Sequence, residues 1–283
     1  MTAPTPPVLP DAATLADLRA LAERAARAAG ALVRDGRPRQ VDVSATKTSP
    51  VDVVTAMDLA AEELLRRTIA EHRPDDGILG EEGGLVPGTS GVTWVVDPID
   101  GTVNYLYGIP AYAVSVAAVV GPPTPDEWTV VAGAVHAVAD GRTYTAARGA
   151  GALLDGVPLQ VNAPAALAQS LVGTGFGYTA DRRRGQARVV AALLPQVRDI
   201  RRIGSAALDL CTLAGGGLDL YYERGLQPWD LAAASLVASE AGALVVGLRG
   251  ARPGEAMTVA GPEPTVGELV RFLEEQRADT DEA

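Results

Sequence analysis

Residues 112–147 read YAVSVAAVVGPPTPDEWTVVAGAVHAVADGRTYTAA: three runs of small and β-branched apolar residues, parted by a Gly-Pro-Pro turn and an Asp-Gly turn. TWVVD at 93–97 precedes them, and the even spacing of short strands between turn residues predicts an antiparallel meander over about 93–161. Upstream, Leu15, Leu18, Leu21, Ala25, Ala28 and Leu32 recur at three- and four-residue steps, the apolar stripe of an amphipathic helix. Thr55-x-x-Asp58 has the form of a capping box, with Leu64, Leu65 and Ile69 carrying a core face until Pro74 and Gly77. Two helices covering one sheet are therefore expected.

Downstream of Ser170 strands and helices alternate: SLVGTG, a helix through Val189 to Leu194, VRDIRRI, a helix from Ser205, LDLYYE, a helix from Asp230, ALVVGL, MTVAG and a last helix from Thr265. Such alternation predicts a second, α/β layer, mixed or parallel. The expected organisation is a tail over 1–12, an N-terminal α+β domain over 13–165 and a C-terminal α/β domain over 166–283.

The chain has 283 residues with 24 basic against 35 acidic side chains, a net charge of −11, and is 47% hydrophobic, which excludes a disordered class. The acidic balance opposes direct nucleic-acid binding, since Arg182–Arg184 and Arg201–Arg202 are too short to form a phosphate-binding stripe. The apolar run from Ala111 to Val120 is about half of a membrane span. A single cysteine, Cys211, excludes an internal disulfide and fits a reducing compartment. The opening MTAPTPPVLP lacks a signal peptide's charged start and apolar run, so a cytoplasmic location is expected.

Chemistry concentrates in Trp94-Val-Val-Asp-Pro-Ile-Asp-Gly-Thr102. A buried strand delivers Asp97, Pro98 sets a turn, Asp100 follows, and Gly101-Thr102 can open a helix. Carboxylates beside such a terminus suit a divalent cation and a phosphate together, although an Asp-Pro turn capped by Asp100 explains the same residues. Glu81 in Gly80-Glu-Glu-Gly-Gly84 and Asp230 in Pro228-Trp-Asp230 supply two further acids; singly, each reads as a solvated loop or an N-cap. If Glu81, Asp97, Asp100 and Asp230 converge, repulsion at ~4 Å is about 1 to 4 kcal/mol per pair. His72 and His136 are the only histidines, and no lysine adjoins these motifs in sequence. Cations are the simplest remedy, and an all-oxygen ligand set selects Mg²⁺ or Mn²⁺. Lys47, the one lysine beside 23 arginines, can present a compact ammonium to such a carboxylate, and Asp52 lies five residues on.

Together KTSPVDVVTAMD, GEEGG, WVVDPIDGTVNY, RRIGSAALDLC and YYERGLQPWDLAAASLVASEAGA resemble the inositol monophosphatase family, in its order and spacing, over about residues 15–270. The likeness is strongest to its bacterial, actinobacterial-type branch. The resemblance implies a layered αβαβα sandwich and a homodimer. It implies that Glu81, Asp97 and the Ile99 carbonyl hold one Mg²⁺, that Asp97, Asp100 and Asp230 hold a second, and that a weaker third lies near Glu81. By the same likeness Gly101 and Thr102 receive the phosphate on their backbone, Thr102 with Asp52 orients or deprotonates the attacking water, and Glu81 aligns that water with Thr102. Glu223, Arg201 and the Gly204-Ser205-Ala206 turn line the polyol end, and Lys47 stands behind the metal ligands. The implied reaction is in-line hydrolysis of myo-inositol 1-phosphate, or a small polyol or sugar phosphate, by Mg²⁺-activated water, with lithium sensitivity.

Departures from the animal pattern bear on the substrate. Tyr105-Leu-Tyr-Gly-Ile109 replaces a basic pair, Gln227 a histidine and Tyr178 a serine. Fructose 1,6-bisphosphate, histidinol phosphate and 3′-phosphorylated nucleotides are the competing substrates, and a binding protein of the transcription machinery is the competing class.

Overall fold

Side-chain alternation in the long strands decides the layering. The computed structural model describes residues 9–38, 40–47 and 53–281. Asp11 caps α1 (Ala12–Asp35), its carboxylate accepting from Thr14 N at 2.8 Å. A short ribbon follows, β1 (Ala45–Thr46) antiparallel to β2 (Val53–Val54). Thr55 and Asp58 form the expected capping box of α2 (Ala56–His72).

The large sheet then runs through β3 (Gly77–Gly80), β4 (Gly84–Val86) and β5 (Val92–Asp100), a short α3 (Thr102–Tyr107), and β6 (Ala113–Val120), β7 (Thr129–Ala137), β8 (Arg142–Ala147), β9 (Ala152–Leu154) and β10 (Val157–Pro158). Its order is β10-β9-β8-β7-β6-β5-β3-β4. The meander β5 to β10 is antiparallel, as its turn spacing predicts, and β3 lies parallel to β5.

The second half supplies β11 (Leu171–Thr174), α4 (Ala180–Leu193), β12 (Asp199–Arg201), α5 (Ala206–Ala214), β13 (Leu220–Glu223), α6 (Pro228–Glu240), β14 (Leu244–Val246), β15 (Thr258–Gly261) and α7 (Thr265–Glu275). The strands form a mixed sheet, β12-β11-β13-β15-β14, in which β12, β11 and β13 are parallel and β15 is antiparallel to both neighbours.

Three apolar clusters separate the layers. Trp94 and Val96 of β5 join α1 and α2 on one face, whereas Val95 points to the other face and joins α5 and α6. In β13 Tyr221 meets that same central helical layer, and Leu220 and Tyr222 pack with α4 and α7. The result is an αβαβα sandwich in which both sheets are covered on both faces, and this explains the nearly unbroken apolar texture of β6 and β7. The passage from Pro158 to Leu171 leads from one sheet to the other, yet α5 and α6 pack back on the first sheet, so the central core joins both halves of the chain. Among the described residues no helix is long and apolar enough to cross a membrane.

One clasp sets the loop after β3. Glu62 of α2, 3% exposed, accepts from Glu82 N and Gly83 N, both at 2.8 Å, and pairs with Arg66 at 2.8 Å. Arg66 also donates to the Gly84 carbonyl at 2.8 Å, closing the clasp. Charge-assisted hydrogen bonds of this kind each contribute about 1.5 to 3 kcal/mol. Glu62→Ala is expected to lower stability by about 2 kcal/mol in urea denaturation, with Glu62→Gln intermediate. A loss below about 0.5 kcal/mol would mean that water replaces the clasp.

Candidate active site

The site starts from an irregularity in β5. Asp97 pairs in register with Ser115 and Asp100 with Ala113, so two residues of β5, Pro98 and Ile99, stand opposite one of β6, Val114. Residues three apart in a regular strand face opposite ways, and the extra residue allows Asp97 and Asp100 both to line one cleft. Asp97 Oδ1 accepts from Ile99 N at 2.9 Å, which holds the turn closed. Gly101 follows with φ +97°, and a Cβ there would come within 2.9 Å of the Ala111 carbonyl oxygen. No larger residue fits that step.

α6 brings the third acid. Pro228 opens the helix and Gln227 is its N-cap; Asp230 stands at the third helical position, not at the cap as its sequence position suggests, and its Oδ2 accepts from Gln227 N at 2.7 Å to close a capping box. Its carboxylate nevertheless also faces the cleft: one oxygen each from Asp97, Asp100 and Asp230 lie within 4.8 Å of one another. Glu81 stands within hydrogen-bonding reach of Asp97, on the loop clasped by Glu62.

Their electrostatics are those of charges forced together. Burial, then repulsion from Glu81, Asp100 and Asp230, pushes the Asp97 carboxyl well above the usual range. Burial and repulsion by Asp100 and Glu81 do the same to Asp230. Burial raises Asp100 to about 6, held down by hydrogen bonds from Ser205 Oγ at 2.5 Å and Ala207 N at 2.7 Å. Glu81 is raised by burial to about 7 even though Lys47 Nζ sits 2.6 Å from its Oε1 and 2.6 Å from Glu82 Oε1. One ammonium thus opposes a cluster of buried acids, and a divalent cation fits the remainder: the donors are all oxygen, they converge, and they repel one another without it.

Thr102 supplies a hydroxyl at the edge of this cluster, 3.1 Å from Asp58 Oδ1 and 3.0 Å from the Ile99 carbonyl. Asp52, the expected partner of Thr102, lies outside the described residues. Among the described residues Asp58 is the carboxylate that Thr102 meets. Its Oδ2 is engaged by Thr55 N at 2.8 Å and Thr55 Oγ1 at 2.5 Å, which leaves Oδ1 for Thr102. The capping box accounts for Asp58 so completely in sequence that a second role for it goes unseen.

The cleft, about 460 Å³, continues past Gly204, Ser205 and Ala206 to Glu223. Glu223 accepts from Tyr221 Oη at 2.7 Å and lies where a Gly175 Cβ would reach 2.1 Å, so that glycine makes its space. Burial raises its carboxyl to about 7. Gln227 and Tyr178 also line the cleft. Arg201, expected at the polyol end, stands away from the cleft: it is exposed and pairs with Asp199 at 2.6 Å, while its neighbour Arg202 lines the cleft. Arg201 closes β12 in a sheet-edge position, and the following residue leads into the turn that faces the site. Sequence reading also misses Asp209, a fully buried acid behind Glu223, raised to about 9 by burial and by repulsion from Glu223. The histidines take no part: His136 is buried against Thr143 at 2.8 Å, and His72 meets the Thr68 carbonyl at 3.0 Å.

Comparison with known proteins agrees with this geometry. Inositol-1-monophosphatase from Mycobacterium leprae is 50% identical, the match covering 81% of this chain and 82% of the relative. The solved structure of SuhB from Mycobacterium tuberculosis superposes with a TM-score of 0.78 at 45% identity, covering 94% of this chain and 98% of that one. Nus factor SuhB from Pasteurella multocida is 38% identical over 81% of this chain and 85% of its own length. The inositol monophosphatase family model matches residues 14–277, a span that takes in every acid of the cluster and both sheets that converge on it, and this chain therefore belongs to that family.

Proposed function

We propose that this protein is a Mg²⁺-dependent phosphomonoesterase that hydrolyses myo-inositol 1-phosphate or a closely related small polyol phosphate to the alcohol and inorganic phosphate. The observation that carries the reading is the convergence of Asp97, Asp100 and Asp230 in a cleft large enough for a phosphorylated ring. The names of the mycobacterial relatives support the same substrate.

Asp97, Asp100, Asp230, Glu81 and the Ile99 carbonyl would hold the magnesium, as two or three ions. When bound, magnesium supplies Lewis acidity and neutralises phosphoryl charge. The chain's own residues do the positioning. Thr102 donates its hydroxyl proton toward Asp58 Oδ1, so the Oγ lone pairs are left to accept a hydrogen from the attacking water and aim it. The backbone of Gly101 and Thr102 receives the phosphate. Ser205 and the Asp100 carboxylate form one hydrogen-bonded unit, which ties the polyol end of the cleft to the acid cluster. Glu223, held by Tyr221, is the acceptor for a ring hydroxyl. No cysteine or histidine lines the cleft among the described residues, in keeping with direct attack by water rather than a phosphoenzyme. We further propose a cytoplasmic homodimer, supported by the family resemblance and the single buried thiol of Cys211.

Asp97→Asn is expected to lower turnover by about a hundredfold or more and to remove the thermal stabilisation by Mg²⁺; steady-state kinetics and melting curves with and without the ion check both. Asp58→Asn is expected to lower kcat by about a hundredfold with the metal requirement kept, whereas Asp52→Asn has a far smaller effect; equal losses would return the water-aiming role to Asp52.

A pH dependence follows from the raised carboxyls. Asp100 at about 6 and Glu81 at about 7 lie above the usual carboxylate values, so the folded metal-free protein binds more protons than the unfolded chain in this window. Its stability is therefore expected to fall as pH rises from about 5 to 8. Ionised carboxylates bind the cation better, so Mg²⁺ should raise the melting temperature more at pH 8 than at pH 5. Melting curves with the opposite ordering would remove the metal assignment.

A further inference from the structure

The short helix that carries Thr102 is held from several sides, and one of the holds comes from outside the cleft. On the cleft side Thr102 Oγ1 meets Asp58, and Asn104 ties α3 to the Ala111 and Ile203 carbonyls. The hold from outside is made by Arg37, which does not line the cleft. Gly36 closes α1, its N–H bonding back to the Leu32 carbonyl, and a Cβ on it would reach 2.6 Å from Met57 Cε in the first turn of α2. The chain therefore leaves α1 tight against α2, and the next residue, Arg37, crosses to the last turn of α3.

There Arg37 Nε and Nη2 both donate to the Tyr105 carbonyl, at 3.2 and 3.0 Å. The same guanidinium lies 5.4 Å from the centre of the Tyr105 ring, within the range of a cation–π contact. Tyr105 is fully buried, and its ring meets Tyr112 edge to face with the centroids 5.3 Å apart. Gly108 leaves the space for the guanidinium: its φ is +72°, and a Cβ on it would reach 3.1 Å from Arg37 Nη2. Arg37 thus grips a carbonyl and a ring of one residue, and a cation on the last carbonyls of a helix also suits the helix dipole.

The grip reaches Thr102 through a single turn. Tyr105 N donates to the Gly101 carbonyl at 3.0 Å, so Tyr105 and the Gly101-Thr102 step belong to one turn of α3. A helix this short has no stability of its own, and its contacts set its place. Misplacing a group that orients a reactant by about 1 Å can cost about a hundredfold in rate. We propose that Arg37 is a positioning residue for hydrolysis, which fixes Thr102 Oγ1 for the attacking water by holding the Tyr105 carbonyl and ring. This rests on the phosphatase reading above and adds to it a residue outside the cleft.

The test is a double-mutant cycle in kcat with Thr102→Ala, on myo-inositol 1-phosphate and p-nitrophenyl phosphate at saturating Mg²⁺. Arg37→Ala is expected to lower kcat about tenfold or more, with KM changed by less than about threefold and thermal stabilisation by Mg²⁺ kept. In the Thr102→Ala background the same substitution should lower kcat by less than about twofold, because the hydroxyl it places is gone. Asp58→Asn takes the place of Thr102→Ala if that variant has no measurable rate. Arg37→Lys keeps the charge without the planar fork and should recover part of the loss; it carries the same cycle if Arg37→Ala does not fold. Each kcat is referred to folded protein, taken from the melting curve of the same preparation. Single-variant rates within about twofold of wild type, or losses that multiply in the double variant, overturn the role of Arg37 and leave the phosphatase reading intact. Absence of hydrolysis of both compounds by the wild-type protein overturns the phosphatase reading and the positioning role with it.

Discussion

Burial of mutually repelling carboxylates at one point is the constraint around which this molecule is arranged. Asp97, Asp100 and Asp230 offer oxygens within 4.8 Å of one another, and burial raises the proton affinity of each. A cluster of this kind opposes folding unless something supplies positive charge or fixed dipoles. The chain meets part of that demand itself: Ser205 Oγ and Ala207 N point at Asp100, Gln227 N at Asp230, Ile99 N at Asp97 and Lys47 at Glu81. A metal ion held by these oxygens would meet the rest, and the same charge is what a phosphate ester requires to react.

The layered fold is what lets the acids meet. Asp97 and Asp100 come from the bulged end of a central strand of the large sheet, Asp230 from the first turn of a helix between the sheets, and Glu81 from the loop after β3. Ser115 of β6 donates to the Trp229 carbonyl at 3.2 Å, stitching the start of α6 to the strand beside β5. Asn104 of α3 donates to the Ala111 and Ile203 carbonyls at 2.7 and 3.0 Å, joining the Gly101 turn to the Gly204 turn. Two parts of the cleft that are about a hundred residues apart in the chain are thus held by one amide.

Much of this was legible one residue at a time. The meander showed in the spacing of turns, α2 in Thr55 and Asp58, and the acids in three short motifs. Reading failed where a residue does two things at once or where neighbours share a chemistry. Asp58 caps a helix with one oxygen and meets Thr102 with the other, and only the first is a local pattern. Arg201 and Arg202 are identical in type and adjacent, so the one that faces the cleft depends on how the chain leaves β12. Glu62 lies outside every quoted motif and Asp209 sits inside RRIGSAALDLC without a role legible there, because their partners, the Glu81 loop and Glu223, are brought to them by packing.

Local patterns determined the elements of this protein and the kinds of side chain its chemistry would use, since periodicity, capping and turn preference act over a few residues. The assembly of those side chains was decided in three dimensions. Whether Asp230 joins Asp97, which acid meets Thr102 and which arginine enters the cleft depend on strand register and on the docking of α5 and α6 between two sheets. These are set by side-chain packing between segments remote in sequence, and no short window of residues contains that information.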